Sequence, residues 1–292
     1  MVVTKGKYIK SPMNYVGGKY RLLNRIIPVL QQENNQVFVD LFAGGLNVGI
    51  NIDAKTIYAN DRLTFLIELY EYFQSTPVDK LISAINETIL MYSLDQQNID
   101  GFNKLRKDYN DNKSPLKLFV LLCYSYNNQM RFNNKFEYNM AFGRNRSSFN
   151  QSIENNLIQF ATALKEKNII LSSLDFYKFD FNKARGGLVY CDPPYLISNC
   201  VYNDGKRGFG GWKESDDIRL LELLDELNKD GIRFALSNVL YHKGEENKRL
   251  IEWSDKYHVM YLDIDYSNCN YQIKNKETKT VEVLITNYEM NK

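Results

Sequence analysis

The sequence predicts an α/β fold, a parallel sheet covered on its faces by helices, with a subdomain inserted in mid-chain. Three observations predict it. Short β-rich runs alternate with helical patterns in the first and last thirds of the chain. One of those runs ends in glycines that open a helix, a geometry that brings backbone close to a nucleotide-like ligand. Between Thr76 and Thr162 the alternation fails, and helix-like stretches lead into a polar, aromatic segment over residues 124–149.

In chain order, strands are expected at residues 37–41, 56–59, 168–171, 187–191, 232–237, 259–265 and 281–286. Each is a short run dominated by aliphatic and aromatic side chains, as a buried strand requires. Helices are expected at residues 22–32, 63–73 and 216–230. The last is amphipathic, with Ile218, Leu221, Leu224 and Leu227 on one side and Gly231 as its stop. Helices of this kind can cover the sheet. No internal repeat or long low-complexity tract interrupts the pattern.

Composition narrows the classes of function. A chain of 292 residues can bury a large core, here a catalytic domain carrying an insertion. Lys and Arg number 37 against 35 Asp and Glu, so any nucleic-acid surface must come from local clustering rather than net charge. Cys123, Cys191, Cys200 and Cys269 form no Cys-x-x-Cys pair, and His242 and His258 lie near no cysteine cluster. Neither a zinc site nor a disulfide framework is expected. Residues 1–10 are polar and basic without an apolar core, and no stretch approaches the ~18 apolar residues of a membrane span. A cytoplasmic, reduced protein with no membrane partner is expected.

The sharpest motif is Asp192-Pro193-Pro194-Tyr195, delivered by the apolar run at residues 187–191. Two prolines fix φ and remove two amide donors, so the strand must stop. The Asp192 carboxylate accepts hydrogen bonds, and the flat ring of Tyr195 offers a stacking face. Together they suit an amino group on a flat heterocycle. The glycine motif runs Asp40-Leu41-Phe42-Ala43-Gly44-Gly45, with Gly49 closing the spacing. That spacing is not Gly-x-Gly-x-x-Gly, and a carboxylate at Asp40 would repel phosphates while suiting a ligand that bears an amine and a sulfonium. The next strand ends in Asn60-Asp61, where a carboxylate can take both hydroxyls of a ribose. A second glycine motif, Asn14-Tyr15-Val16-Gly17-Gly18-Lys19, is no P-loop. Tyr20 stands where Ser or Thr would hold magnesium, and the earlier glycine is missing.

These residues, in this order, resemble the Dam-like family of DNA adenine-N6 methyltransferases that use S-adenosylmethionine. The match covers most of the chain and includes a weaker fifth motif at residues 282–288. The resemblance implies a Rossmann-like seven-stranded methyltransferase sheet with an inserted, mainly helical target-recognition subdomain carrying a β-hairpin. It divides the chain into a cofactor-binding first part of the catalytic domain (1–75), the target-recognition subdomain (76–162) and the second catalytic part (163–292). It places Tyr15, Lys19, Asp40, Phe42, Gly44, Gly45, Asn60, Asp61, Asp175, Phe176 and Asp192 around S-adenosylmethionine. Phe42, Gly44 and Gly45 would hold the methionine moiety, Asp61 the ribose, and Asp175 and Phe176 the adenine. Asp192, Pro193, Pro194 and Tyr195 would be catalytic.

Residues 131–144 are similar to the family's DNA-reading hairpin, which implies DNA contacts from Arg131, Asn133, Phe136, Asn139 and Arg144. Arginine at Arg131 suits the O6 and N7 acceptors of guanine. Ala141 stands where GATC-specific relatives carry proline, so that recognition sequence is not carried over. The implied reaction flips an adenine from double-stranded DNA, stacks it on Tyr195 and methylates N6, with no metal. The glycine-rich, basic segment at residues 196–212 has the composition of a flap that closes on the flipped nucleotide. A cognate restriction endonuclease is a candidate partner. An N4-cytosine methyltransferase and an inactive DNA-binding or regulatory module remain open as alternatives.

Overall fold

The apolar runs build eight strands in a computed structural model that describes residues 7–31, 35–197, 211–262 and 280–290. They are β1 (Asn35–Asp40), β2 (Ala54–Asn60), β3 (Ile169–Ser172), β4 (Leu188–Cys191), β5 (Arg233–His242), β6 (Glu245–Glu246), β7 (His258–Tyr261) and β8 (Thr280–Thr286). One sheet results, in the order β3-β2-β1-β4-β5-β8-β7, with β6 folded back on the end of β5. From β3 across to β5 every pairing is parallel. Parallel strands are covered on both faces and read as continuous apolar runs, and β4 is buried at all four positions.

The sheet is mostly, not wholly, parallel. β8 runs antiparallel to both β5 and β7. β7 follows β5 through a helix and lies two strand positions away from it. β8 then returns through the gap, and a returning strand opposes both neighbours. The last part of the strand expected at residues 259–265, and most of the expected flap, lie outside the described residues, as do Cys200 and Cys269. Cys123 and Cys191 are free, buried thiols.

The helices are α1 (Leu23–Leu30), α2 (Thr64–Ser75), α3 (Val78–Met91), α4 (Ile99–Asp111), α5 (Pro115–Tyr124), α6 (Gln151–Glu166), α7 (Glu214–Lys229) and α8 (Lys248–Ser254). Local chemistry sets their starts. Asn98 accepts from the Gly101 amide, and Ser114 precedes Pro115 at the first turn of α5. Asn150 accepts from the amides of Ser152 and Ile153. The interruption of the alternating pattern is therefore four helices, α3 to α6, between β2–α2 and β3. α6 continues beyond Thr162 to Glu166, so a boundary at 162 falls inside a helix. Between α5 and α6 the chain forms a hairpin through antiparallel pairings of Ser125 with Phe142 and Phe132 with Tyr138.

Two cores flank the sheet. One joins α1 and α2 to the inserted helices, and the other lies under α7 and α8. In the first, Phe73 meets Phe119 of α5 edge-on at 5.2 Å, Tyr70 meets Phe160 of α6 at 5.5 Å, and Phe65 meets Phe132 of the hairpin at 4.1 Å. The insertion thus shares its core with the sheet through α2.

Candidate active site

The order of strands places a crevice at one point. The chain leaves β1 toward β2 and leaves β4 toward β5, in opposite directions, so the space beyond the carboxyl ends of β1 and β4 stays open. Asp40 ends β1, and Asp192 follows β4 directly. The cleft there encloses about 1370 Å³ of space, open solvent included, and is large enough for a nucleoside-sized ligand. Tyr15, Lys19, Asp40, Phe42, Gly44, Gly45, Asn60, Asp61, Asp175, Phe176, Asp192 and Pro194 all line it.

At the catalytic corner, the Lys19 ammonium reaches three oxygens. It donates to the Gly17 carbonyl at 2.8 Å, pairs with Asp192 Oδ1 at 2.8 Å and lies 3.4 Å from Glu282 Oε1. It also sits 4.9 Å from the centre of the Tyr195 ring. The Tyr195 hydroxyl donates to Glu282 Oε1 at 2.8 Å and lies 3.3 Å from Asp192 Oδ1. Burial pushes the Asp192 carboxyl up to about 6, against the opposing pull of Lys19. For Lys19, burial pulls downward, but Asp192 and Glu282 outweigh it and raise the ammonium above its usual value. Pro193 is buried behind this corner.

The glycine turn is held by carboxylates from within. Asp61 Oδ2 accepts from the Gly44 amide at 2.8 Å, and its Oδ1 accepts from the Leu63 amide at 2.9 Å. The Tyr70 hydroxyl donates to the Gly44 carbonyl at 2.5 Å. Gly44 has φ +45, and a Cβ there would come within 2.9 Å of Cε1 of Tyr15. The glycine is needed for its backbone conformation and for the ring packed on it. Asp40 is 2% exposed and accepts from the Gly49 amide at 2.9 Å. Burial raises its carboxyl to about 7, with Asp192 and Asp61 adding to the rise and the Gly49 amide opposing it.

Asn60 lines the cleft, and its side chain is engaged by the chain itself. Its amide nitrogen donates to the carbonyls of Leu41 and Leu174 at 3.2 and 3.0 Å. Its oxygen accepts from the Ser172 hydroxyl and the Leu174 amide at 2.8 and 2.9 Å. The side chain clamps the ends of β1, β2 and β3 together, and no hydrogen-bonding capacity is left over for a ligand.

At the far end of the cleft, Phe42, Phe176 and Trp212 form an aromatic corner. Phe42 lies 5.4 Å from Phe176 and 5.6 Å from Trp212, and Phe176 lies 5.7 Å from Trp212. The Trp212 indole donates to Asp217 at 3.3 Å, tying the ring to the first turn of α7. Arg219 covers Phe176 at 5.3 Å and pairs with Asp175 at 3.5 Å. The sequence reading missed Trp212 as a wall of the cleft because it stands at the end of a glycine-rich segment. It missed Glu282 because a lone acid in an apolar strand reads as a solvent-facing position; the signal was its place within the fifth motif.

The hairpin residues lie outside the cleft. Arg131 is exposed, its guanidinium donating to Asn139 Oδ1 at 3.0 Å and to the Asn139 carbonyl at 2.8 Å. Asn133 is the turn former, with its oxygen accepting from the amides of Lys135 and Glu137 at 2.9 and 3.0 Å and its nitrogen donating to Glu137 at 2.7 Å. Phe136 is 42% exposed at the tip with φ +58, and Arg144 is exposed farther along. Met130, at the base of the hairpin, reaches the cleft. Asn14 donates to the Asn127 carbonyl at 2.9 Å, joining the hairpin's approach segment to the wall that holds Tyr15 and Lys19.

A doubly wound sheet with an acid-lined crevice at its switch point, an Asp-Pro-Pro-Tyr corner and a hairpin beside the opening has the architecture of a Rossmann-like methyltransferase. The chain belongs to the D12 class N6 adenine-specific DNA methyltransferases, whose family model matches residues 15–281. It is 48% identical over 282 residues to the type II methyltransferase M.FokI of Planomicrobium okeanokoites, a match that covers 96% of this chain and 43% of that protein. It is 49% identical over 286 residues to the modification methylase StsI of Streptococcus sanguinis, covering 97% and 43%. A DNA adenine methylase of Salmonella typhi is 26% identical over 230 residues, 77% of this chain and 79% of that one. The chain thus spans less than half the length of the first two relatives. Membership of the family implies a methyl donor.

Proposed function

We propose that this chain transfers a methyl group from S-adenosylmethionine to N6 of an adenine flipped out of double-stranded DNA. The observation that carries this reading is Asp192 at the carboxyl end of β4, in one cleft with Asp61 and the Phe42–Phe176–Trp212 corner. The cleft wall fits that donor. Five aspartates line it against Lys19 and Arg62, a balance that favours a cation and disfavours phosphates. Phe42, Phe176 and Trp212 would hold the adenine ring, Asp61 the ribose, and Asp40 the positive end. The donor supplies an electrophilic methyl on a sulfonium.

The chain's own residues prepare the nucleophile. Adenine N6 is a weak one because its lone pair is delocalised into the ring. Asp192 would accept a hydrogen bond from the amino group and stabilise the positive charge that develops on nitrogen, and Tyr195 would stack on the base. The proton lost from N6 has an acceptor at Asp192. Because base edges inside a duplex cannot reach Asp192, the adenine must leave the stack. Arg131, Phe136, Asn139 and Arg144 would contact DNA beside the opening, with Asn133 shaping the turn that presents them. We assign 76–162 to target recognition and the flanking parts to catalysis. A restriction endonuclease fits the modification-methylase names of the relatives. Among the described residues no helix is long and apolar enough to cross a membrane, and we place the protein with its DNA in the cytoplasm.

Transfer of labelled methyl from S-adenosylmethionine to unmethylated genomic DNA, read by nucleoside mass spectrometry, tests the proposal. The expected product is N6-methyladenine at one short sequence. Asp192→Ala is expected to lose transfer by ~100-fold or more while keeping its DNA affinity. Label in cytosine, or normal turnover by the variant, would overturn the assignment.

A further inference from the structure

Glu282 is the acid of the catalytic corner that the reaction above does not use. It enters from β8, at the other end of the sequence from Lys19, and is 14% exposed in a strand whose residues 283–286 are buried. Its Oε1 accepts the Tyr195 hydroxyl at 2.8 Å and lies 3.4 Å from the Lys19 ammonium, while Lys19 is 2.8 Å from Asp192. One lysine therefore faces two carboxylates. If Asp192 were alone with Lys19, the pair would be neutral. With Glu282 present the cluster carries one excess negative charge, beside the place where N6 becomes positive. Fixed charge at that place is worth most in a corner shielded from water.

We propose that Glu282 is a positioning residue that shares Lys19 with Asp192 and holds the Tyr195 hydroxyl, so that Asp192 is not fully neutralised and keeps its charge for the amino group of the target base. This rests on the proposed methyl transfer. The groups that face Asp192 are Lys19 from the N-terminal turn, Glu282 from β8, Tyr195 from its own segment, Asp40 from β1, and Tyr190 and Cys191 from β4. Of these, Lys19 and Glu282 bring opposite charges to within reach of one another. The charge of Glu282 raises the Asp192 carboxyl, so its removal must lower it.

The test is Glu282→Gln, with Glu282→Asp as a second variant that keeps the charge but is too short to hold both Lys19 and Tyr195. Two readouts are taken: the single-turnover rate of methyl transfer with cofactor and DNA saturating, and the titration midpoint of Asp192 by carboxyl carbon-13 NMR, which needs no turnover. For Glu282→Gln the expected result is a rate lowered about 10- to 100-fold, cofactor Kd within twofold of wild type, and a midpoint shifted to lower pH. For Glu282→Asp the rate falls and the midpoint moves less than in Glu282→Gln. An unmoved midpoint in Glu282→Gln, or a rate within twofold of wild type in either variant, overturns the proposal. Wild-type protein that methylates no adenine would instead overturn the proposed function, while the midpoints would still decide whether Glu282 sets the charge at Asp192.

Discussion

Asp40 and Asp192 stand at the ends of adjacent strands, and burial raises both carboxyls, to about 7 and about 6. For Asp40 the folded value lies above the ordinary 3.8, so its favourable contribution is complete only below that value and is lost as pH rises toward 7. Asp40→Asn is therefore expected to stabilise the protein at pH 8 by roughly 2–4 kcal/mol, the gain growing between pH 4 and 7 and level above. Denaturant melts across that range check it. The same substitution removes negative charge from the cleft, so calorimetry is expected to show weaker S-adenosylmethionine binding at pH 8 and a smaller loss at pH 6. A gain over wild type no larger at pH 8 than at pH 4 would contradict the ionised, buried carboxyl. At this scale the sequence was legible where a residue broke its local pattern, as Asp192 does by ending an apolar run beside two prolines. Trp212 and Glu282 were not, because their meaning comes from neighbours far along the chain.

Elements set which residues can meet. The glycine turn after β1 is shaped by Tyr15 from the N-terminal segment, Asp61 from the end of β2 and Tyr70 from α2. Gly44→Ala would force an L side chain to φ +45 and push Tyr15 aside, at an expected cost of about 1–3 kcal/mol. Thermal melts and cofactor titration should both register it. In the hairpin, three hydrogen bonds converge on the Asn133 side chain, and Asn133→Ala is expected to weaken DNA binding while cofactor affinity stays within twofold. Filter binding with calorimetry on one preparation would separate the two effects; equal losses in both would tie the hairpin to the cofactor cleft instead. The hairpin was legible through the resemblance of residues 131–144 to the family's DNA-reading hairpin. The sequence could not announce that Asn133 spends its amide on the turn, since composition alone does not distinguish a turn former from a base reader.

For the molecule as a whole, alternation of strand and helix was readable because buried parallel strands must be apolar throughout and their covering helices must be amphipathic. Strand order was not readable, since insertion of β8 between β5 and β7 depends on where a returning strand finds a gap. Nor was the shared core of sheet and insertion, which rests on ring pairs such as Phe73 with Phe119. Phe119 is 1% exposed, and Phe119→Ala is expected to cost about 3–5 kcal/mol. Scanning calorimetry is expected to show one transition that moves as a unit, because α2 serves both parts. Two separated transitions would show that the inserted helices melt independently.

The corner that joins Lys19, Asp192 and Glu282 draws on three stretches that the ribosome delivers at widely separated times. Lys19 waits for Asp192, and both wait for β8, which pairs with β5 on one side and β7 on the other. Translation proceeds at about 5–20 residues per second, so Asp192 leaves the ribosome several seconds before Glu282. A chain cut short before β8 lacks both the third member of that corner and the strand that joins β5 to β7.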